Sequence, residues 1–119
     1  YFPRDPRDVV AQNILNNLKY AEEHIKVDGD GNNTINRAVV QSLISRFCLF
    51  EGTWRKYHAL PNATTYLEEC TRASKEVMNK YTTLHPNYEE LFNSESLAGI
   101  NGIILYKEYA SYAMDSHVW

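Results

Sequence analysis

The sequence predicts an all-α fold, a compact bundle of about five helices in a single domain spanning residues 1–119. Apolar residues recur at steps of three and four along several segments, which is the spacing of one face of an α-helix. Residues that cap helices or form turns separate these segments. No strand-length run of alternating apolar and polar residues is present, apart from short pieces at Ile35 and at 103–104.

The first two helices are predicted from their boundaries and their apolar faces. Asp5 and Pro6 favour a helix start, with an N-cap carboxylate and a proline at the first helical position. The predicted face of this helix comprises Val10, Ile14, Leu18, Ala21 and Ile25. Asp and Gly residues at 28–31 end it, and a second helix begins at about Asn36. Its predicted buried stripe comprises Val39, Val40, Leu43, Ile44, Phe47 and Phe50. Gly52 is expected to be a weak point of this helix.

Three further helices are predicted in the second half. The sequence at 65–68, Thr-Tyr-Leu-Glu, fits a capping box and marks the start of a third helix. Its predicted inner face comprises Tyr66, Leu67, Cys70, Ala73, Val77, Met78 and Tyr81. Pro86 opens a short fourth helix that runs through Phe92. A turn at 99–102 precedes a last helix, predicted at 105–114.

Length, composition and charge exclude several function classes. With 119 residues, 44% hydrophobic and 23% charged, the chain has the size and composition of one globular domain. A net charge of −3 gives no basic footprint for nucleic acid. No apolar run approaches the roughly 18 residues of a membrane span. We therefore expect no nucleic-acid partner and no membrane span.

Two cysteines and two glycosylation sequons indicate a secreted, extracellular glycoprotein. Cys48 and Cys70 lie on the apolar faces of the second and third helices, and in an oxidising compartment they would pair. Such a disulfide closes a loop of about 22 residues and contributes roughly 3 kcal/mol of stability. Sequons begin at Asn32 and Asn62. The alternative is two buried free thiols in a cytosolic protein.

The most specific motif is the run of Asp, Gly and Asn at 28–36. A calcium-binding loop between two helices places oxygen ligands at positions 1, 3, 5, 7 and 9, requires a left-handed residue at position 6, and closes with a bidentate Glu at position 12. The residues at the ligand positions up to position 9 are Asp28, Asp30, Asn32, Thr34 and Asn36. Position 6 is Asn33, and position 12 is Val39, which offers no oxygen. The loop at 28–39 therefore predicts a weak or vestigial calcium site.

Two further segments contain parts of the same pattern. In 97–108, Gly102 is at position 6, Ile104 is at the position through which sister loops pair, and Glu108 is the closing ligand. The early ligand positions of this segment hold no carboxylate. A weaker match begins at His58. Each segment lies between two predicted helices, and this placement gives the partial matches their value.

With these loops, the chain resembles degenerate EF-hand proteins of the sarcoplasmic calcium-binding and photoprotein type. The resemblance implies helix–loop–helix units that pair through a short strand at loop position 8 and form a helical cup around an apolar interior. Some members of that family have lost calcium sites while keeping the fold, and others hold a small apolar molecule in the cup. This chain departs from the pattern because no loop has a full ligand set, and because three loops is an odd number for a family that pairs them.

An ordinary solvated turn is the alternative interpretation of the loop at 28–36. Asp, Gly and Asn are common in any exposed turn between helices, so composition alone can produce this run. Asn32 is also both a proposed metal ligand and a glycosylation acceptor. A glycan on Asn32 would crowd a metal ion, so the two uses compete.

No catalytic constellation is visible, and we expect that the protein is not an enzyme. The histidines show no metal-ligand spacing; they are His24, His58, His85 and His117. Adjacent glutamates at 22–23 and 89–90 do not face each other on a helix. No glycine-rich phosphate loop or nucleophile elbow is present.

Large apolar side chains supply the remaining candidate surface. The predicted ligand or partner surface comprises Phe47, Phe50, Trp54, Tyr66, Met78, Phe92, Tyr109 and Tyr112. Methionine and aromatic residues suit adaptable recognition of apolar ligands and partner helices. We expect them to line a cavity of at least about 300 Å³ or an open groove. The alternative is that they fill the core, which is the commoner use of aromatic residues.

The sequence therefore predicts a non-catalytic, secreted binding protein on an EF-hand-like scaffold with impaired calcium sites. It would recognise a protein partner or a small apolar ligand. Its cofactor would be none, or weakly bound calcium. The alternative function is a calcium-binding protein with one weak working loop at 28–39.

Overall fold

The computed structural model describes residues 1–108, and this part of the chain is all-α, as predicted. Its four helices are α1 (Arg7–His24), α2 (Arg37–Tyr57), α3 (Ala63–Lys80) and α4 (Tyr88–Asn93). Residues 1–108 contain no strand. Five helices were predicted. Residues 105–108 of the last predicted helix are not helical, and the rest of it lies outside the described residues.

Local capping explains where two of the helices begin. The side-chain oxygen of Asn36 accepts a hydrogen bond from the Val39 amide at 3.0 Å, so α2 begins where predicted. Asn87 caps α4 in the same way. The N-cap of α1 is Pro6, with no side-chain hydrogen bond, so the predicted Asp5 cap is wrong. At α3, the left-handed Asn62 precedes the helix, which starts two residues before the predicted capping box.

Helices α1, α2 and α3 pack together with α2 antiparallel to both neighbours. A hydrogen bond of 2.6 Å joins the Ser45 and Ser74 hydroxyls near one end of the α2–α3 contact, and Gly52 lies against Leu67 nearer the other end. Arg7, at the start of α1, bonds to the second half of α2. The buried cluster between the helices comprises Ala11, Leu15, Val40, Ile44, Cys48, Tyr66 and Ala73.

Gly52, which the sequence marked as a weak point of α2, is a place where α2 and α3 come close together. It is buried in the second half of α2, which continues as a helix through this position. A Cβ atom at this position would lie 2.7 Å from both Cγ and Cδ2 of Leu67. Glycine therefore lets the two helix backbones come together here.

The predicted apolar faces are only partly correct. On α1, the two buried residues, Ala11 and Leu15, were not in the predicted face, whereas Val10 and Ile14 of that face are exposed. On α2, Leu43 and Phe50 are exposed although Ile44 between them is fully buried. The apolar residues of both helices cover more than one face, and only one of these faces meets the other helices.

The described chain beyond α3 packs loosely. No residue in 81–108 is fully buried. The radius of gyration of the whole structure is 17.6 Å, whereas a compact domain of 119 residues has about 13 Å. The prediction of a compact bundle is therefore wrong for the segment that follows α3. No helix within residues 1–108 is long and apolar enough to cross a membrane.

Candidate functional site

The carboxylates of the predicted calcium loop are paired with lysines. Asp28 Oδ1 lies 3.3 Å from Nζ of Lys80 on α3. Asp30 Oδ1 lies 2.6 Å from Nζ of Lys26. Each ammonium group supplies positive charge where a calcium ion would have to supply it. The pairs are solvent-exposed and therefore weak.

Two of the other predicted ligands of this loop, Thr34 and Asn36, also have protein partners. The Thr34 hydroxyl donates to the carbonyl of Gly31 at 2.7 Å and accepts from the Asp30 amide at 3.1 Å. Asn36 is used as the N-cap of α2, and Asn32 is exposed. Glu108 is also exposed. Within residues 1–108, no group of three or more His, Cys, Asp or Glu side chains is arranged to hold a metal ion.

Asn33 joins this loop to the segment at 97–108. Its side chain donates to the carbonyl of Tyr106 at 2.9 Å and accepts from the amide of the same residue at 2.9 Å. The side-chain amide therefore pairs with the backbone much as a neighbouring strand would. Asn33 has a φ of 53°, the left-handed conformation required at loop position 6. The structure thus brings together two of the segments that the sequence singled out.

A cleft lies between these two segments. Its volume is about 350 Å³, and its lining includes Asn32, Asn33, Tyr81 and residues 97–104. Positive φ angles at Gly99 and Gly102 shape its turns. The lining mixes backbone and amide groups with leucine, isoleucine and tyrosine side chains in about equal shares, so it offers both hydrogen bonds and apolar contact. A glycan on Asn32 would stand at this cleft. The second sequon residue, Asn62, is exposed at the start of α3.

The predicted disulfide is wrong, because Cys48 and Cys70 are free thiols. Cys48 points into the core cluster and is fully buried. Cys70 is half-buried on α3, where its sulfur lies 3.8 Å from the Ser45 hydroxyl. Burial, assisted by the charge of Glu69, raises the pKa of Cys48 to about 11. A thiol in this state is neutral and unreactive at ordinary pH.

The predicted aromatic surface does not form one site. Tyr66 is buried beneath the Arg55 guanidinium, 4.9 Å from its ring centroid. Phe47 is half-buried and meets Tyr66 edge-on. Met78 on α3 and Phe92 on α4 are exposed at other places. Two more residues of the predicted set lie outside the described residues; they are Tyr109 and Tyr112.

Part of that set nevertheless belongs to one exposed face of α2. Five large apolar residues of α2 recur at steps of four and three, and we call them the α2 stripe: Leu43, Phe47, Phe50, Trp54 and Tyr57. Four are exposed by 50% (Leu43), 62% (Phe50), 40% (Trp54) and 81% (Tyr57). Two of its members, Leu43 and Tyr57, were not in the predicted set. The regular spacing of all five was visible in the sequence.

Helix α1 extends the α2 stripe on one side. The Arg7 guanidinium lies 4.9 Å from the Trp54 ring centroid, so the start of α1 borders the stripe. Val10 and Ile14 follow on the same flank of α1 at helical spacing and are exposed. With about 150–250 Å² for each fully exposed aromatic side chain, the stripe and these two residues leave on the order of 500 Å² of apolar surface uncovered. This area is at the upper end for the largest apolar patch of a monomer.

A buried charge network lies beneath this face, and it was not predicted from the sequence. Arg55 is 1% exposed and bonds to Glu51 at 2.9 Å, to Asp8 at 2.7 Å and to the carbonyl of Pro61 at 3.0 Å. Arg7 makes two further bonds to Glu51. Burial acts to lower the pKa of Arg55, but the hydrogen bonds to Asp8 and Glu51 outweigh it and raise the pKa. The signal was an opposite-charge pair at i, i+4 inside an apolar helix.

The described surfaces differ in what they can do. The calcium-like loop has its carboxylates paired with lysines, and the cleft beside it is small and mixed in character. The α2 stripe combines several exposed large apolar side chains with a regular spacing along one helix. Comparison of the chain with protein-family models, curated proteins and solved structures found no match.

Proposed function

We propose that this protein is a non-catalytic binding protein that recognises a protein partner through the α2 stripe, on an EF-hand-like scaffold whose calcium sites are impaired. The observation that carries the proposal is the exposure of four large apolar side chains at heptad spacing along one helix. Uncovered apolar patches of this size usually mark interaction sites. Steps of four and three form the seam along which a second helix packs.

The contact between the two loops supports the scaffold part of the proposal. Asn33 meets Tyr106 through two hydrogen bonds. An antiparallel alignment with these residues opposite each other also puts Ile35 opposite Ile104. This follows because Ile35 is two residues after Asn33 and Ile104 is two residues before Tyr106. These isoleucines occupy position 8 of the two loops, the position through which EF-hand loops pair.

The lysine partners of the loop carboxylates favour impaired sites over the alternative of one weak working calcium loop. Calcium at 28–39 would have to displace Lys26 and Lys80, and it would find Val39 where the closing Glu belongs. We expect 1 mM calcium, on the order of the weakest extracellular sites, to leave the melting temperature unchanged relative to excess chelator. A calcium-dependent rise in melting temperature that Asp28→Ala removes would favour the alternative function.

An extracellular location remains part of the proposal and is supported by the two exposed sequon residues, Asn32 and Asn62. The free thiols remove the support that a disulfide would have given. The mass of the natural protein before and after N-glycosidase treatment tests this location. An unchanged mass without glycans would leave secretion without support.

Binding of synthetic helices tests the main proposal. The probes are fluorescein-labelled peptides of 21 residues with leucine at every a and d position, and fluorescence anisotropy reports their binding. Phe50→Glu puts a charge in the centre of the α2 stripe and is expected to weaken binding more than tenfold. Leu49→Glu is the matched control, because Leu49 is a neighbouring apolar residue of the same helix with similar exposure, 53%, but lies off the stripe.

Circular dichroism of both variants establishes that the helices remain folded. Equal binding by the protein and by Phe50→Glu would contradict the proposal. So would an equal loss in Phe50→Glu and Leu49→Glu. If no helical peptide binds, whatever charge its e and g positions carry, the α2 stripe is not a helix-binding surface.

A further inference from the structure

The charged groups that border the α2 stripe are cationic. Arg46 is exposed and precedes Phe50 by four residues, so it lies on the same side of α2. Arg7 borders the stripe on the α1 side, against Trp54, and its side chain is 45% exposed. The one carboxylate of α2 is Glu51, which is buried and bonded to two arginines. No exposed carboxylate therefore lies on α2.

The adjoining flank of α1 also lacks carboxylates. The residues that share this flank with Ile14, at steps of three, four and seven, are Val10, Asn17 and Ala21. The three acidic residues of α1 lie elsewhere. Asp8 bonds to Arg55, and Glu22 bonds to Arg72 on α3. Glu23 is exposed, but it follows Ile14 by nine residues, which places it on the opposite side of the helix. The apolar face thus has a cationic border in a chain whose net charge is −3.

We infer that the α2 stripe binds an amphipathic helix whose apolar seam is flanked by Asp or Glu residues. The inference rests on the proposed function and names the chemistry of the partner. Apolar residues of the partner at a and d positions pack between members of the stripe. Carboxylates beside that seam pair with Arg46, since arginine binds carboxylates in a planar, bidentate geometry. Arg7 already holds both oxygens of Glu51 through Nε and Nη2, so it offers a partner only its remaining N–H groups. The cationic border also repels basic helices and so selects among partners.

Charge favours this occupant over a second copy of the chain. A symmetric dimer through the stripe would bring two cationic borders together without exposed carboxylates on α2 to pair with them. An anionic membrane is also less favoured, because binding to acidic lipids typically uses clusters of four to eight basic residues, and two arginines border this face.

Three peptides that differ only in their flanks test the inference. All have the leucine seam described above, and the e and g positions hold Glu in the first, Lys in the second and Gln in the third. We expect the Glu peptide to bind at least about tenfold more tightly than the Lys peptide at 0.15 M salt. Arg46→Glu is expected to weaken binding of the Glu peptide about threefold to tenfold and to strengthen binding of the Lys peptide.

Lys56→Glu is the matched charge control. Lys56 is exposed on the same helix, but it follows Trp54 by two residues and so points to another side of α2. We expect this variant to change the affinity for the Glu peptide by less than about twofold, because exposed charges beyond a Debye length are screened. An equal effect of the two reversals would overturn the assignment of Arg46 to the binding border.

The outcomes separate the inference from the proposed function. Equal binding of all three peptides, lost in Phe50→Glu, would overturn the acidic partner and leave the stripe as a helix-binding surface. A dimer in sedimentation equilibrium that Phe50→Glu dissociates would assign the face to a second copy and overturn the inference. Cosedimentation with phosphatidylserine vesicles, without binding to the Glu peptide, would overturn it in favour of a membrane.

Discussion

Two ion pairs with the same i, i+4 spacing show how burial sets the contribution of a residue. Glu51 and Arg55 are 4% and 1% exposed in their side chains, whereas Lys26 and Asp30 are 75% and 78% exposed. We expect Glu51→Gln to lower the free energy of unfolding by about 3 kcal/mol, because it leaves the buried Arg55 charge without its buried carboxylate partner. Asp30→Asn should cost less than about 0.5 kcal/mol. Urea unfolding measures both.

A result contrary to this prediction would be equal stability of the two variants. It would mean that Asp8 and the Pro61 carbonyl, the other partners of Arg55, satisfy its charge alone. The sequence indicated this pair only by its spacing. Burial was not visible, because a charged pair on an apolar helix is more often solvated than enclosed.

Cys48 makes stability depend on pH in the alkaline range. Its pKa is raised from 9.0 to about 11 in the folded protein, so between these values the unfolded chain has lost the thiol proton and the folded chain retains it. Stability from this group is therefore full below pH 9 and is lost as pH rises toward 11. Between pH 9 and 11, we expect the free energy of unfolding of the protein to fall by about 2 kcal/mol more than that of Cys48→Ala.

The matched control for this pH effect is Cys70→Ala, because Cys70 is half-buried. This variant should still lose stability between pH 9 and 11, as the protein does and Cys48→Ala does not. Titration with a thiol reagent after unfolding without reductant should find two thiols. Identical pH profiles for the protein and Cys48→Ala would contradict the argument.

At the scale of the elements, the contact between α2 and α3 depends on a missing side chain. Gly52→Ala should favour the helix by about 1 kcal/mol through propensity. The added Cβ would meet Leu67 at 2.7 Å, however, and overpacking of this kind costs roughly 1–3 kcal/mol. Since the backbone amide of Leu67 is also close, at 3.2 Å, we expect net destabilisation in thermal unfolding.

A double-mutant cycle tests whether steric contact is the cause. Leu67→Ala removes the atoms that the new methyl group would meet. In that background Gly52→Ala should be neutral or stabilising, which gives a coupling energy of about 1 kcal/mol or more. Additive effects of the two changes would point to a cause other than this contact.

The helices show which parts of an element can be predicted from sequence. The start of α2 was predicted because Asn36 caps it through a bond to Val39, three residues away. The exposed side of α2 was not predicted, because Ile44 and Phe50 are equally apolar and only the positions of α1 and α3 decide which is covered. A helix cap depends on residues that are close in the sequence, whereas the burial of a helix face depends on how the other helices pack against it.

At the scale of the whole molecule, the local features of the predicted site were correct, whereas its contacts with distant parts of the chain were not predicted. The half-motif at 28–36 correctly marked a loop between two helices, and its left-handed position was correctly placed at Asn33. The partners of its carboxylates were not predictable, because Lys80 is about 50 residues distant from Asp28 in the chain. The predicted disulfide failed for the same reason, since matching positions on two helix faces do not fix where the thiols point.

The segment at 97–108 is tied to the loop at 28–36 through Asn33, and this contact gives the last prediction. Asn33→Gly removes the side chain but keeps a residue that adopts positive φ without strain. The Tyr106 amide, which donates to Asn33 in the protein, then loses its acceptor. We expect its hydrogen exchange to accelerate about fivefold, the equivalent of roughly 1 kcal/mol for one hydrogen bond, whereas exchange in the α2–α3 core stays unchanged.

Asn32→Gly is the control for this change. It alters the neighbouring position of the same loop, where the side chain is exposed, and it should leave the Tyr106 amide protected. Equal acceleration in both variants would mean that loop flexibility, and not the Asn33 side chain, controls the contact. Unchanged exchange in Asn33→Gly would mean that other contacts hold 97–108 in place, and the loop-to-loop alignment that supports an EF-hand-like scaffold would lose its main observation.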